Sequence, residues 1–424
     1  MATSKQSEGN SERASAAAVS PAGDDIRPDV AGSLFIKGLI VAAVGLGAGV
    51  ALGAGRGDGF RAFSFSYLTA YMWALAIVLG AVFWVTLQNL VNAKWSVVLR
   101  RIGEIIASSV PVLAVLALPI VVPVFLGHDT VYAWANHDAV EKDHLLHHKA
   151  AYLNPGFFLV RFLLYFLFWT ALSRYFLKQS TEQDRSGAPE IPKRMQRMAG
   201  PGMIGFALTV TFCVVDLVMS LDPYWFSTIF GVYYFASCVL CINSTVALTV
   251  MWLQNHGRLK KSVTVEHFHD LGKMMFAFTV FWAYIGFSQF MLIWYANIPE
   301  ETAWFKERFA GGWGNLSWFL LFGHFVIPFF GLLSRHVKRH RKALAFWGCW
   351  ILGVVYLDMY WLVMPALDGH HQGHDVPFGL MDITCLVGMA GALVAAVAFS
   401  AKTVENLVPV KDPRLPRSLA FENI

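Results

Sequence analysis

The chain has 424 residues, of which 56% are hydrophobic and only 14% charged, with a mean hydropathy of +0.51 and a formal charge of +5. A soluble domain carries about 25% charged residues, so composition argues against a large soluble helical protein. The mild basic balance reads as membrane orientation, not as nucleic-acid binding.

Crossing a bilayer takes about 20 apolar residues, and ten runs meet that length: 34–54, 65–88, 105–126, 156–177, 203–221, 228–253, 271–295, 316–334, 343–364 and 380–400. The expected fold is an all-α integral membrane protein with ten transmembrane helices. Residues 1–33 are polar and rich in Ser and Ala, without a charged segment leading into a short apolar core, so they read as a disordered cytoplasmic tail and not as a cleaved signal. Helix 1 (34–54) and the residue after it carry Gly38, Gly45, Gly47, Gly49, Gly53 and Gly55. These form either a face for close helix approach or the ordinary glycine enrichment of membrane helices.

Residues 65–223 and 226–365 each contain four of the runs, and the same marks recur in both. Phe65-Ser66 and Phe226-Ser227 open the first helix of each half. Ile102-Gly103-Glu104 and Leu271-Gly272-Lys273 begin the second, and Leu172-Ser173-Arg174 and Leu333-Ser334-Arg335 end the third. The fourth holds Asp216 or Asp358, followed seven residues later by Pro223 or Pro365. Four crossings return the chain to its starting side, so the expected architecture is two parallel four-helix bundles, helices 2–5 and 6–9, flanked by helix 1 and helix 10 (380–400). Residues 401–424 form a second cytoplasmic tail.

Lys and Arg placement orients the chain. With both termini cytoplasmic, only six of the 33 basic residues fall in external loops: Arg56, Arg61, Lys142, Lys149, Lys306 and Arg308. Lys37, Arg161, Lys273 and, at the inner end of 156–177, Arg174 lie inside helices, and the rest are cytoplasmic, most densely in loop 335–342.

All five cysteines fall in apolar runs, and Cys238 and Cys241 read as a packed pair, not a redox pair. No Cys-x-x-Cys-His motif occurs for covalent haem. Of the fourteen histidines, His324 alone is expected inside a membrane helix. The external clusters His144, His147, His148 and His370, His371, His374 read as a polar docking or proton-exchange surface in preference to a metal site.

A carboxylate inside a membrane helix is costly and is by default a functional hypothesis. Asp216, Asp358, His324, Glu104, Lys273, Asp382 and Arg161 span much of the expected bilayer depth. With the hydroxyls of Tyr71, Tyr233, Tyr234, Tyr284, Tyr356, Tyr360, Ser288 and Thr279 they could line a proton path. The alternative is structural: an Asp paired with an Arg or capping backbone near a proline, and Glu104 or Lys273 snorkelling to the interface. Trp294, Tyr295, Trp304, Trp313, Trp318, Tyr224 and Trp225 crowd the external boundary as an interfacial belt, or as lipid-side access for a quinone ring.

Three stretches carry a resemblance: His269-Asp270-Leu271-Gly272-Lys273 through Ser288-Gln289, Trp294-Tyr295-Ala296-Asn297-Ile298-Pro299-Glu300-Glu301-Thr302, and His147-His148-Lys149-Ala150-Ala151-Tyr152-Leu153-Asn154-Pro155. Over residues 30–405 the chain resembles the NrfD/PsrC-type membrane subunits, and among them the ActF family, the smaller NrfD-like subunits of bacterial alternative complex III. The resemblance implies a bacterial inner-membrane complex that oxidises quinol and passes electrons to a cytochrome c or a terminal oxidase. It implies ActA (multihaem cytochrome c), ActB (iron–sulfur protein), ActC (the larger paralogue), ActD and ActE as partners, with membrane lipids around them and no nucleic acid. Haems and iron–sulfur clusters are expected in those partners, and no redox cofactor in this chain beyond a possible quinone or quinol. Three roles stay open: an accessory subunit with a proton path, a quinone-binding redox subunit, and a stand-alone secondary transporter.

Overall fold

The computed structural model describes residues 27–367 and 375–423. Residues 1–26 of the expected tail, and His370, His371 and His374, lie outside the described residues. Among the described residues all regular structure is helical, and ten helices are long and apolar enough to cross a membrane. They are α1 (Ala31–Arg56), α2 (Arg61–Leu90), α3 (Val97–Phe125), α4 (Pro155–Ser186), α5 (Glu190–Leu217), α6 (Phe230–Asn255), α7 (Val265–Ala296), α8 (Gly311–Leu333), α9 (Arg341–Val363) and α10 (Leu380–Ala401).

Several helices extend beyond the apolar runs. α4 continues to Ser186, α5 starts at Glu190, and α7 starts at Val265. The α7 start is fixed by a capping box, in which Thr264 and His267 exchange side-chain-to-backbone bonds. That extension corrects one expectation: His267 and His269 also lie within a long helix, both buried, at its basic end.

Prolines set the internal breaks. A proline has no N–H and its ring crowds the carbonyl four residues back. In α3 the segments Val110–Leu116 and Leu118–Phe125 each begin one residue before a proline, Pro111 or Pro119. Tyr67 and Tyr71 of α2 donate to Leu116 O (2.6 Å) and Leu113 O (3.1 Å) along this stretch. In α8 the same device occurs at Ile327-Pro328, and the turn before it, Leu321–Val326, is a π-helix.

Within residues 61–221, α2 packs on α3 and α5, and α4 packs on α3 and α5. Within 230–367, α6 packs on α7 and α9, and α8 packs on α7 and α9. The two rings of contacts meet where α2 lies against α6 and α9, and α5 against α6. α2 is the most enclosed helix, and Gly80 leaves its backbone in contact range of Cys238 O on α6. α1 is anchored mainly by α10. A β-carbon on Gly45 would stand 2.6 Å from Gly388 Cα, and one on Gly391 would stand 2.6 Å from Ala42 N. Gly38, Gly45, Gly49 and Gly53 of α1 therefore form a close-approach face, whereas Gly47 points into open space.

Beyond α10, residues 402–423 cross the basic end from the α3–α4 side to α7. Arg100 and Arg414 grip Asp412, Ser418 Oγ donates to Trp95 O (2.7 Å), and Asn423 bonds Glu266 and Lys273.

Candidate functional site

Asp216, on α5, is completely enclosed and ion-paired. Arg161, at the start of α4, donates Nε to Oδ2 and Nη2 to Oδ1, both at 2.9 Å, and Tyr165 one turn on adds its hydroxyl at 2.9 Å. The Arg161 guanidinium stacks on the Tyr152 ring at 3.8 Å and on Phe157 at 4.3 Å. A forked pair of this kind fixes both partners.

Asp358 is the matching carboxyl on α9, 0% exposed. Its partners are neutral. Tyr233 donates to Oδ1 at 2.5 Å, while Ser237 (3.2 Å) and the Trp282 indole (3.1 Å) donate to Oδ2. Among the described residues no Lys, Arg or His stands within ion-pair distance of it. A buried charge costs several kcal/mol unless a partner offsets it, so the two aspartates sit in chemically different sites.

The repeat explains how. Counted from the paired Phe-Ser marks, Tyr233 and Ser237 match Met72 and Ala76. Counted from Ile102-Gly103 and Leu271-Gly272, Trp282 matches Leu113. Counted back from the paired Leu-Ser-Arg ends, Arg161 and Tyr165 match Phe322 and Val326. The first half serves its aspartate from the third helix of the set, and the second half from the first and second helices.

His324 adjoins the Asp358 site. Its ring lies 3.8 Å from that of Trp282, nearly parallel, and both its nitrogens are buried without a protein hydrogen-bond partner. It sits in the π-turn of α8, whose Gly323 carbonyl accepts from the Trp350 indole at 2.7 Å. π-turns are rare and recur at functional sites. Trp282 thus touches both His324 and Asp358.

The C-terminal end of α9 is closed by Arg308, from the short helix Pro299–Phe309 that precedes α8. Pro365 supplies no N–H to Trp361 O, and Arg308 Nε donates there at 3.3 Å, with Nη2 to Leu362 O at 3.1 Å. Its guanidinium lies 3.5 Å over the Trp304 ring. Burial pushes Arg308 down to about 9, which leaves it a cation at neutral pH. In the first half Tyr132 and Trp134 of the α3–α4 loop do the corresponding work, donating to Leu217 O (2.8 Å) and Ser220 O (3.2 Å).

In front of Tyr233 and Trp282 lies a cavity of about 480 Å³, walled by Phe230, Phe290, Trp304, Phe309, Trp318 and Trp361, with Gln289 and Ser317 as its other polar groups. It is a mostly apolar concavity with a few convergent donors, the usual make-up of a small-molecule site.

The remaining expected residues lie in separate clusters. Glu104 is buried between Arg100 (3.3 Å) and Arg101 (3.1 Å), which also bind Asp412 and Asp184. With Arg414 on Asp412, three cations face three carboxylates. Lys273 is half exposed, paired with Asp270 and bonded to Asn423 Oδ1 at 2.7 Å. Asp382 caps α10 and accepts from Ser66 at 2.6 Å and from Gly379 N at 2.8 Å. The structure thus joins Arg161 to Asp216, and Asp358 to His324 through Trp282, but joins neither pair to Glu104, Lys273 or Asp382. Among the described residues no group of three His, Cys, Asp or Glu is placed to hold a metal ion.

Sequence reading placed Tyr233 among hydroxyls but missed Ser237, Trp282, Tyr165 and Arg308 as partners. The halves-against-halves alignment contains a usable signal, because polar residues replace Met72, Ala76 and Leu113 at the matched positions. No model of a protein family matches the chain, and no curated protein sequence does.

Proposed function

We propose that this chain is a multi-pass subunit of a bacterial inner-membrane complex that oxidises quinol, and that its second half moves protons through Asp358. The observation that carries this reading is the set of partners around Asp358: three neutral donors and no contacting cation, at a fully buried position. A carboxyl held this way can gain and lose a proton without breaking an ion pair. His324, stacked against the Trp282 that binds Asp358, is a second buried titratable side chain beside this site. Asp216, locked by Arg161, is structural in this reading.

The two rings of helix contacts support two repeated four-helix bundles, and the Lys and Arg asymmetry supports a cytoplasmic basic end. The resemblance to the ActF family supplies the complex: ActA, ActB, ActC, ActD and ActE as partners carrying the haems and iron–sulfur clusters, and a cytochrome c or terminal oxidase as acceptor. The aromatic cavity beside Tyr233 and Trp282 favours a second reading, in which a quinone ring occupies it and exchanges its protons with Asp358.

The test is Asp358→Asn in the intact complex. Assembly and haem content should be retained, and quinol turnover or membrane-potential generation should fall. Bound quinone that copurifies with the subunit and is lost on Trp304→Ala would select the second reading.

A further inference from the structure

We propose that the groove between α1, α10 and α3 holds one acyl chain of an anionic phospholipid, with its phosphate on Lys402. This rests on the reading that the ten long helices span a bilayer. The groove encloses a cavity of about 480 Å³ lined by apolar side chains, among them Phe35 and Leu46 of α1, Ala392 and Phe399 of α10, and Val112 and Leu116 of α3. It exists because α1 is held mainly by α10. Glycines draw those two helices together: a β-carbon on Gly38 would stand 2.7 Å from Ala395 N. Beside that seam, alanines such as Ala43 and Ala396 leave the space in front of α3 open.

Length and charge point to the occupant. On α1 the lining runs from Phe35 to Leu46, eleven residues, which rise about 16 Å at 1.5 Å each. The hydrocarbon core of a bilayer is about 30 Å thick, so the groove covers one leaflet. A partner's spanning helix would need a seat along the whole core, whereas an acyl chain needs only this half. The groove begins at the basic end. There Phe35 and Phe399 stand 5.9 Å apart, and Lys402 Nζ lies 4.3 Å over the Phe35 ring. Lys402 is exposed, and the acids nearest in sequence to it and to Phe35, Glu405 and Asp29, are paired with Arg185 and Arg258. A lysine at this depth covers apolar surface with its stem and keeps its ammonium among the headgroups. An exposed cation at the head of an apolar slot one leaflet deep matches a phosphate joined to an acyl chain. The bound chain would tie α1, whose Ile36, Ile40 and Val44 are exposed, to α3.

The test uses the full-length protein extracted from membranes, stripped of lipid in detergent and offered phosphatidylglycerol or phosphatidylcholine, with bound lipid counted by native mass spectrometry. We expect one phosphatidylglycerol to be held about fivefold more tightly than phosphatidylcholine, the preference that one lysine charge near a membrane surface supplies. Lys402→Gln should erase that preference and leave the binding common to both lipids. Ala43→Trp fills the groove from an exposed position and should abolish retention of both. Equal retention of the two lipids by the unaltered protein, an unchanged preference in Lys402→Gln, or full retention in Ala43→Trp would overturn the proposal. A photo-reactive side chain at position 43, irradiated in native membranes, supplies a measurement that needs neither variant. Attachment to phospholipid supports the proposal, and attachment to another protein overturns it. Recovery of the chain in the soluble fraction without detergent would overturn the membrane reading and this proposal with it, whereas the other adverse results, read on membrane-extracted protein, overturn the proposal alone.

Discussion

Arg161 closes on Asp216 through two parallel hydrogen bonds of 2.9 Å. The matching carboxyl, Asp358, is bound by a tyrosine, a serine and a tryptophan. One sequence repeat has thus produced an ion pair in one half and an acid among neutral donors in the other.

Breaking the first pair from one side should be severe. Arg161→Gln leaves Asp216 buried beside Tyr165 alone, and removing one partner of a buried pair costs about 3–5 kcal/mol. Replacing both, as Arg161→Gln with Asp216→Asn, should recover a large part of that loss. Thermal unfolding of the purified protein checks this. A double variant as unstable as the single would mean that the pair holds the fold by more than charge.

Trp282→Phe separates the two jobs of this residue. The ring still stacks on His324, but the indole donor to Asp358 is gone. A hydrogen bond to a charged group contributes about 1.5–3 kcal/mol. We expect a small fall in thermal midpoint and a larger fall in proton-coupled turnover, read in the same preparation. Unchanged turnover with lowered stability would assign Trp282 to packing.

The tail over the basic end should release in acid. Burial alone would raise the Asp412 carboxyl, but the Arg100 and Arg414 guanidiniums outweigh burial and hold it well below the usual carboxylate range. A group depressed in the folded state stabilises fully above its unfolded value, about 3.9, and loses that contribution as pH falls toward the folded value. Protease access to residues 402–423 should therefore be constant from neutral pH down to about 4 and rise below it. Asp412→Asn should expose the tail at neutral pH. A tail equally protected in the variant would place its anchoring in Ser418 and Asn423.

Much of the fold was legible because hydropathy runs are long-range averages of a single property. The ten long apolar helices follow from them, whereas the breaks in α3 before Pro111 and Pro119 do not, because hydropathy is blind to a missing N–H. The extensions of α4, α5 and α7 were not legible from hydropathy, because these turns carry charge and are held by caps such as Thr264–His267. Asp216 and Asp358 stood out as carboxyls in apolar runs, and pairing of an aspartate with an arginine was an open alternative. The specific partners were hidden because they come from different helices: Arg161 is 55 residues from Asp216, and Tyr233 is 125 residues from Asp358. Arg308 was counted as an ordinary external charge, and its burial between Trp304 and Trp361 depends on how the short helix Pro299–Phe309 folds back over α9.

The most direct measurement is proton-coupled turnover of the intact complex carrying Asp358→Asn, beside Asp216→Asn in the same membranes. Both substitutions preserve shape, so assembly and haem content should match the unaltered complex for Asp358→Asn. The account predicts that Asp358→Asn impairs turnover or membrane-potential generation in a complex that is otherwise complete, while Asp216→Asn acts chiefly on stability. Normal turnover and normal membrane potential with Asn at 358 would contradict it and leave this chain a scaffold.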